Sequence, residues 1–143
     1  MSLIGTPAPA LAAGPVPAAS LVAAPGEPPR DSVLMFVASW CAPCLAELAR
    51  FEALEAAARP RRLLIVALDE GARSTEMTRR FDGRQKLAIS PREAWELLRR
   101  ASAGRAAGLP YAVMTDETGR PCALRDRGLS EAELRTMAAA CKG

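Results

Sequence analysis

The sequence predicts an α/β domain in which helices flank a mixed central sheet. Two continuous apolar runs, 33–38 and 63–68, have the composition of strands that are buried on both faces, and a helix-forming stretch separates them. A strand–helix–strand unit of this kind favours parallel pairing. Further along, Tyr111–Thr115 and residues 121–125 flank a turn and precede a last helix, which predicts an antiparallel ββα part.

The length and the charge pattern predict one folded domain with a separate lead-in. The chain has 143 residues, enough for a single domain with a conventional core. We expect residues 1–29 to be a partly ordered Ala/Pro-rich lead-in along the domain edge and residues 30–143 to form the domain. Residues 1–26 are uncharged, lack a basic start and contain five prolines, which is untypical of an export signal or a membrane anchor.

The absence of histidine excludes several classes of function. The chain contains no His, so Ser–His and Cys–His hydrolases are excluded and the commonest metal ligand is missing. Thiol–disulfide exchange needs no His, because a thiolate is its own nucleophile. The net charge is only +3 and no basic stripe alternates with aromatic residues, so we expect no nucleic-acid partner.

Helix-forming stretches fill the spaces between the strands. Residues 46–58 predict one helix that ends before Pro60, and residues 74–81 predict a shorter helix, followed by a brief extended piece at 87–89. Two sequences have the form of a capping box, in which a Ser at the helix start is followed by Glu three positions later. They predict a helix from Ser90 to about residue 101 and a last helix from Ser130 through Cys141.

The pair Cys41 and Cys44 carries the predicted chemistry. A C-x-x-C spacing alone is shared by zinc sites, haem attachment sites and redox motifs, but here it follows a buried strand directly and opens a helix. The free N–H groups of a helix start favour a thiolate at Cys41, which we expect to be the exposed attacking thiol, with Cys44 resolving the mixed disulfide. Trp40 is expected to shield one side and Pro43 to stiffen the first turn.

Two other interpretations of these cysteines remain open. A buried structural pair is disfavoured, since such a bond is rare at a strand-to-helix corner. A zinc site built from positions 41, 44, 122 and 141 lacks the second close C-x-x-C that zinc ribbons use. We expect no metal, and no cofactor other than the redox-active disulfide itself.

Residues 40–44, Trp-Cys-Ala-Pro-Cys, resemble the active-site run of the thioredoxin family, and residues 108–110 resemble its cis-proline loop. The resemblance extends from about residue 30 to the end and implies the thioredoxin fold with thiol–disulfide oxidoreductase activity. If the Leu109–Pro110 bond is cis, it also implies that the Leu109 backbone pairs with substrate beside Cys41. The extra helix at 90–101 and the lead-in resemble the exported TlpA/ResA-type branch.

One position departs from the pattern that cytoplasmic thioredoxins share. They resemble one another in a buried Asp six residues before the first Cys, and here that position is Met35. Deprotonation of Cys44 would then depend on water or on a carboxylate such as Glu47 or Asp69.

The second pair, Cys122 and Cys141, opens the last predicted strand and closes the last helix. The strand and turn carry the chain ~20 Å in one direction at ~3.3 Å per residue, and the helix returns it by ~17 Å at ~1.5 Å per residue. The two ends should therefore meet at the pole opposite Cys41. This predicts a structural disulfide worth about 3 kcal/mol, with two unpaired buried thiols as the alternative.

Such a bridge predicts an oxidising compartment, and hence a periplasmic location after export. Pro in the second intervening position resembles the reducing members of the family. We therefore expect a monomeric reductase of partner-protein disulfides, of the cytochrome-maturation type, which a membrane-bound thiol donor keeps reduced. A disulfide oxidant or isomerase remains an alternative. So does a non-enzymatic metal-delivery module, although the missing His disfavours it.

Overall fold

The computed structural model describes residues 27–106 and 108–142, together with Gly5. Four strands and five helices follow one another in these residues: β1 (Ser32–Val37), α1 (Ala42–Leu48), α2 (Phe51–Ala58), β2 (Arg62–Ala67), α3 (Ala72–Thr78), α4 (Pro91–Ala101), β3 (Tyr111–Thr115), β4 (Pro121–Asp126) and α5 (Glu131–Ala140). The strands form one sheet in the order β2-β1-β3-β4. This mixed sheet flanked by helices confirms the predicted fold class.

The central position of β1 explains its continuous apolar composition. It pairs in parallel with β2 and antiparallel with β3, and all six of its side chains are buried. A strand with neighbours on both sides and cover on both faces favours apolar side chains. Its one polar residue, Ser32, is also buried, and the Ser32 hydroxyl donates to the Arg30 carbonyl at 2.7 Å. β4 lies at an edge, pairs antiparallel with β3, and has no fully buried residue.

The predicted helix 46–58 is wrong as a single element. α1 starts earlier, at Ala42, and the helix is interrupted at Ala49 and Arg50 before α2 begins. The Arg50 backbone leaves the helical region (φ −106°, ψ 18°), and its guanidinium donates a hydrogen bond to the Leu129 carbonyl at 2.6 Å.

Other boundaries differ by a few residues. α3 ends at Thr78, and Phe81 beyond it packs its ring 4.8 Å from the ring of Phe51. The extended piece expected at 87–89 pairs slightly earlier, where Ile65 exchanges backbone hydrogen bonds with Gln85 and Leu87. Phe81 thus contacts α2, and the extended piece at 85–87 pairs with β2, so tertiary contacts rather than local propensity set the positions of these two segments.

The two predicted capping boxes have different outcomes. Ser130 and Glu133 form the complete box, each side chain accepting from the other residue's backbone N–H. Ser90 accepts from the Glu93 N–H, but the Glu93 carboxylate accepts from the Ser90 hydroxyl instead of from the Ser90 backbone N–H.

No helix within residues 27–106 and 108–142 combines the length and apolar character needed to cross a membrane.

Most of the predicted lead-in, residues 1–4 and 6–26, lies outside the described residues. Its last part runs along the turn between β3 and β4. The Pro29 carbonyl accepts from the Thr115 hydroxyl at 2.6 Å. A Cβ at Gly119 would lie 2.8 Å from the Pro28 carbonyl oxygen, so this close approach, together with φ +86°, requires glycine.

Candidate active site

Cys41 and Cys44 lie at the junction of β1 and α1 and are joined by a disulfide, with their Cα atoms 5.3 Å apart. Cys41 is the N-cap residue of α1, and its Sγ accepts a hydrogen bond from the Cys44 N–H at 3.2 Å. Pro43 lies in the first turn, where the missing N–H costs no helical hydrogen bond. The helix start therefore presents its N–H groups to the Cys41 sulfur, which favours negative charge there.

The two sulfurs differ less in exposure than the sequence predicted. Cys44 is fully buried, and Cys41 is 6% exposed rather than openly accessible, because its sulfur is bonded to Cys44 and lies against the first turn of α1. Trp40 is 64% exposed, so most of its surface faces solvent and only a minor part is left to shield the disulfide. Cys41 is nevertheless the more accessible of the two sulfurs.

The Leu109–Pro110 loop lies at the same end of the sheet as the disulfide. Tyr111 pairs with Phe36, so the loop that precedes β3 approaches the segment that follows β1. The Leu109–Pro110 peptide bond is cis. Pro43 and this loop line one open groove of about 530 Å³, whose lining residues are Pro43, Ala46, Glu47, Arg50, 108–110 and 127–129.

Sequence reasoning missed one wall of this groove, the segment 127–129 that leads from β4 to α5. As a local pattern, the Gly128-Leu129-Ser130 run indicates only the start of the last helix. Its position beside Pro110 follows from pairing between β3 and β4, which brings Asp126 opposite Tyr111. The Arg127 N–H donates to the Pro110 carbonyl at 3.0 Å and closes this wall.

Glu47 is a buried carboxyl group in the groove. Glu47 is only 6% exposed, and it lies one helical turn after Cys44 in α1. Burial raises the pKa of Glu47 from 4.5 to about 7, and the nearby charge of Glu133 adds to the increase. The Leu129 backbone and the Arg50 guanidinium act in the opposite direction. Near neutral pH this group can therefore both accept and return a proton.

Asp69, the other carboxylate that the sequence suggested, has a different setting. It accepts hydrogen bonds from the Ser39 backbone N–H at 3.0 Å and from the Ser39 hydroxyl. These bonds tie the end of β2 to the segment before the disulfide and occupy both carboxylate oxygens. Met35, at the position of the missing acid, is fully buried in the core.

Cys122 and Cys141 are joined by a second disulfide, with a Cα–Cα distance of 5.0 Å. Met114 pairs with both Val33 and Ala123, which places this bond at the end of the sheet where β1 begins. Cys41 follows the other end of β1. The two disulfides therefore lie at opposite poles, and both residues of the second are partly exposed.

No protein-family profile and no curated protein matches the chain. Several solved structures are similar in fold. DsbF of Mycobacterium tuberculosis is 24% identical with a TM-score of 0.57, over 78% of this chain and 81% of that one. A secreted M. tuberculosis disulfide oxidoreductase homologous to E. coli DsbE is 22% identical with a TM-score of 0.54, over 85% of each chain.

A thioredoxin-like protein of Porphyromonas gingivalis is 24% identical with a TM-score of 0.51, over 82% of this chain and 77% of that one. At these identities the similarity concerns the fold. The mixed sheet flanked by helices, and the Cys41–Cys44 pair at the junction of β1 and α1, agree with what the sequence predicted. The chain therefore has the thioredoxin-like fold.

Proposed function

We propose that the chain is a thiol–disulfide oxidoreductase that reduces disulfides of partner proteins through Cys41 and Cys44. One observation carries this proposal: a bonded C-x-x-C pair, whose first Cys caps a helix start, encloses Pro43, which lines an open groove of about 530 Å³. The cap favours the thiolate of Cys41 as nucleophile and leaving group. The similar fold of proteins described as disulfide oxidoreductases supports the same activity.

The reaction begins from the reduced pair. The Cys41 thiolate attacks one sulfur of the client disulfide, that bond breaks, and the first client thiolate leaves as a mixed disulfide forms. Cys44, deprotonated in turn, attacks the Cys41 sulfur and releases the second client thiolate. Two electrons pass to the client, and the Cys41–Cys44 disulfide found in the structure is the product. A dithiol donor then reduces it for the next turnover.

We assign Glu47 as the proton acceptor for Cys44. With a pKa of about 7, its carboxylate takes the Cys44 proton and returns it to a departing client thiolate at neutral pH. Its place one turn beyond Cys44 in α1, on the groove, supports this role. Asp69 is a weaker candidate, because both of its oxygens already accept from Ser39.

The second disulfide supports the location of the protein in an oxidising compartment. A partly exposed bond between Cys122 and Cys141 persists in a periplasm-like compartment and is rare in a reducing cytosol. The similar M. tuberculosis protein is described as secreted. We therefore propose an exported, monomeric TlpA/ResA-type reductase that serves cytochrome-maturation clients and receives electrons from a membrane-bound thiol donor.

Trapping of the mixed disulfide tests the activity. A Cys44→Ser variant should accumulate a covalent adduct with a disulfide-bonded test protein, visible by intact mass, because the attack by Cys41 proceeds and the resolving step does not. Cys41→Ser should form no adduct, and a Cys122→Ser, Cys141→Ser double variant should turn over normally. Adducts through Cys122 or Cys141 instead would refute the assignment.

The reduction potential tests the direction. A reductase of this fold is expected well below about −150 mV, whereas a value above it belongs to an oxidant or isomerase. Equilibration of the Cys41–Cys44 pair with glutathione, followed by mass spectrometry of alkylated cysteines, measures it.

A further inference from the structure

Two guanidinium groups border the groove beside the disulfide. Arg50 and Arg127 both line it, and both residues are exposed. Within residues 27–106 and 108–142, neither forms an ion pair with a carboxylate; the side-chain ion pairs found there involve other arginines. Arg50 is partly engaged through its bond to the Leu129 carbonyl. For the Arg127 side chain, no hydrogen bond or ion pair is found among the residues that the structure describes.

The Leu109–Pro110 loop holds Arg127 in position. The Arg127 N–H donates to the Pro110 carbonyl, and its backbone has φ +57°, an uncommon conformation for a residue with a side chain. Its side chain lies over Gly108, where a Cβ would come within 3.2 Å of Cγ and 3.3 Å of Nε. The guanidinium is thus carried next to Leu109, whose backbone we expect to pair with substrate.

The charges around the groove do not cancel this cation. Glu47 lines the groove from α1 but is buried, and burial raises the pKa of Glu47 to about 7. Asp126, the residue before Arg127, lies opposite Tyr111 in the sheet, and Glu133 in the first turn of α5 forms an ion pair with Arg125. The lining residues of the groove thus include two exposed arginines, whereas their one carboxyl group, that of Glu47, is buried.

We propose that Arg127 selects client segments that carry an acidic side chain next to the reacting cysteine. This proposal rests on the proposed reductase function and adds its substrate class. An extended segment alongside Leu109 would present alternate side chains to the groove walls. A carboxylate there can form a charge-assisted, bidentate bond with the Arg127 guanidinium, whereas a lysine would be repelled.

Three synthetic peptides with one disulfide test the preference. They differ only in the residue beside the reacting cysteine, which is Asp, Asn or Lys. We expect kcat/KM to be about fivefold higher for Asp than for Lys, the scale of a partly exposed ion pair. Higher salt should shrink the difference, because it screens charges at the surface.

Variants at position 127 identify the source of the preference. Arg127→Lys should keep the order, Arg127→Gln should remove it, and Arg127→Glu should reverse it towards the Lys peptide. All three replacement residues must adopt the positive φ of position 127, so the variants differ chiefly in side-chain charge. Arg62→Gln, an exposed arginine at the opposite end of the sheet, is the matched control and should retain the wild-type order.

The outcomes separate this proposal from the one it rests on. Equal reduction of all three peptides by the wild type, or a preference that survives Arg127→Gln, overturns the selection by Arg127 and leaves the reductase function intact. Absence of turnover with every peptide, and with disulfide-bonded proteins, overturns the reductase function itself.

Discussion

The two disulfides of this protein are the same bond in two different settings. Cys41 and Cys44 are three residues apart and both belong to one helix start, whereas Cys122 and Cys141 are 19 residues apart and join the start of β4 to the end of α5. A bond that closes a short loop restrains the unfolded chain little, and one that closes a longer loop restrains it more. Opening the first bond should therefore cost the fold less stability than opening the second.

Solvent exposure does not indicate which of the two disulfides takes part in exchange. Cys122 and Cys141 are more exposed than Cys41, and Cys44 is fully buried, so the pair that we propose to be reactive is the more buried one. What distinguishes it is the helix start that caps Cys41 and the groove alongside. α5 connects the two settings, since it begins next to Leu129 in the groove and ends at Cys141.

Removal of the second disulfide should give the largest loss of stability. A Cys122→Ser, Cys141→Ser double variant is expected to lose about 3 kcal/mol in the free energy of unfolding, because its unfolded chain regains the loop entropy. Urea unfolding measures the loss, and peptide reduction should continue. The matched Cys41→Ser, Cys44→Ser variant should lose less stability and all activity. Equal destabilisation of the two double variants would contradict the division between a working and a structural bond.

Replacement of Glu47 tests the surroundings of the Cys41–Cys44 disulfide through the pH dependence of stability. Its pKa is about 7 in the folded protein, against an ordinary value of 4.5, so between these values the folded chain binds more protons than the unfolded one. The stability contribution of this group is therefore greatest at low pH and falls as the pH rises to about 7. Glu47→Gln should remove on the order of 2 kcal/mol of this pH dependence.

Unfolding measured at about pH 5 and about pH 8 tests this expectation. Glu117→Gln, at an exposed carboxylate in the turn after β3, is the control and should keep the wild-type dependence. Stopped-flow reduction of a small disulfide should also show a slower resolving step in Glu47→Gln. An unchanged rate over this pH range would remove Glu47 as the proton acceptor for Cys44.

A substitution at the start of α5 should give the smallest of the three effects on stability. Ser130→Ala removes one half of the capping box at the groove end of this helix, and we expect a loss of about 1 kcal/mol in the free energy of unfolding. Thr136→Ala, at an exposed position within the same helix, serves as the control and should change stability less. A loss at Ser130 as large as that from the missing disulfide would mean that α5 depends on its groove end more than on Cys141.

Much of the fold was predictable because its signals are local. The apolar run in β1 and the Ser130–Glu133 box specify their structures over a few residues, whatever the rest of the chain does. The break between α1 and α2 was not predictable in this way. Every residue from Ala46 to Ala58 favours or tolerates a helix, so local propensity does not indicate the interruption. At the interruption, the Arg50 side chain bonds to Leu129, which is 79 residues away.

The sequence by itself determined the candidate site of this protein: a Cys41–Cys44 pair directly after a buried strand, at a helix start, in a chain without histidine. Those features are neighbours in the chain, so local rules suffice to interpret them. Only the tertiary structure decided which groups surround that pair. Glu47 became a buried acid, and Arg127 a wall of the groove, because strand pairing brings β4 and the start of α5 against the segments around Cys41. Contacts between residues so far apart in the chain depend on the order of strands in the sheet, which no local pattern records.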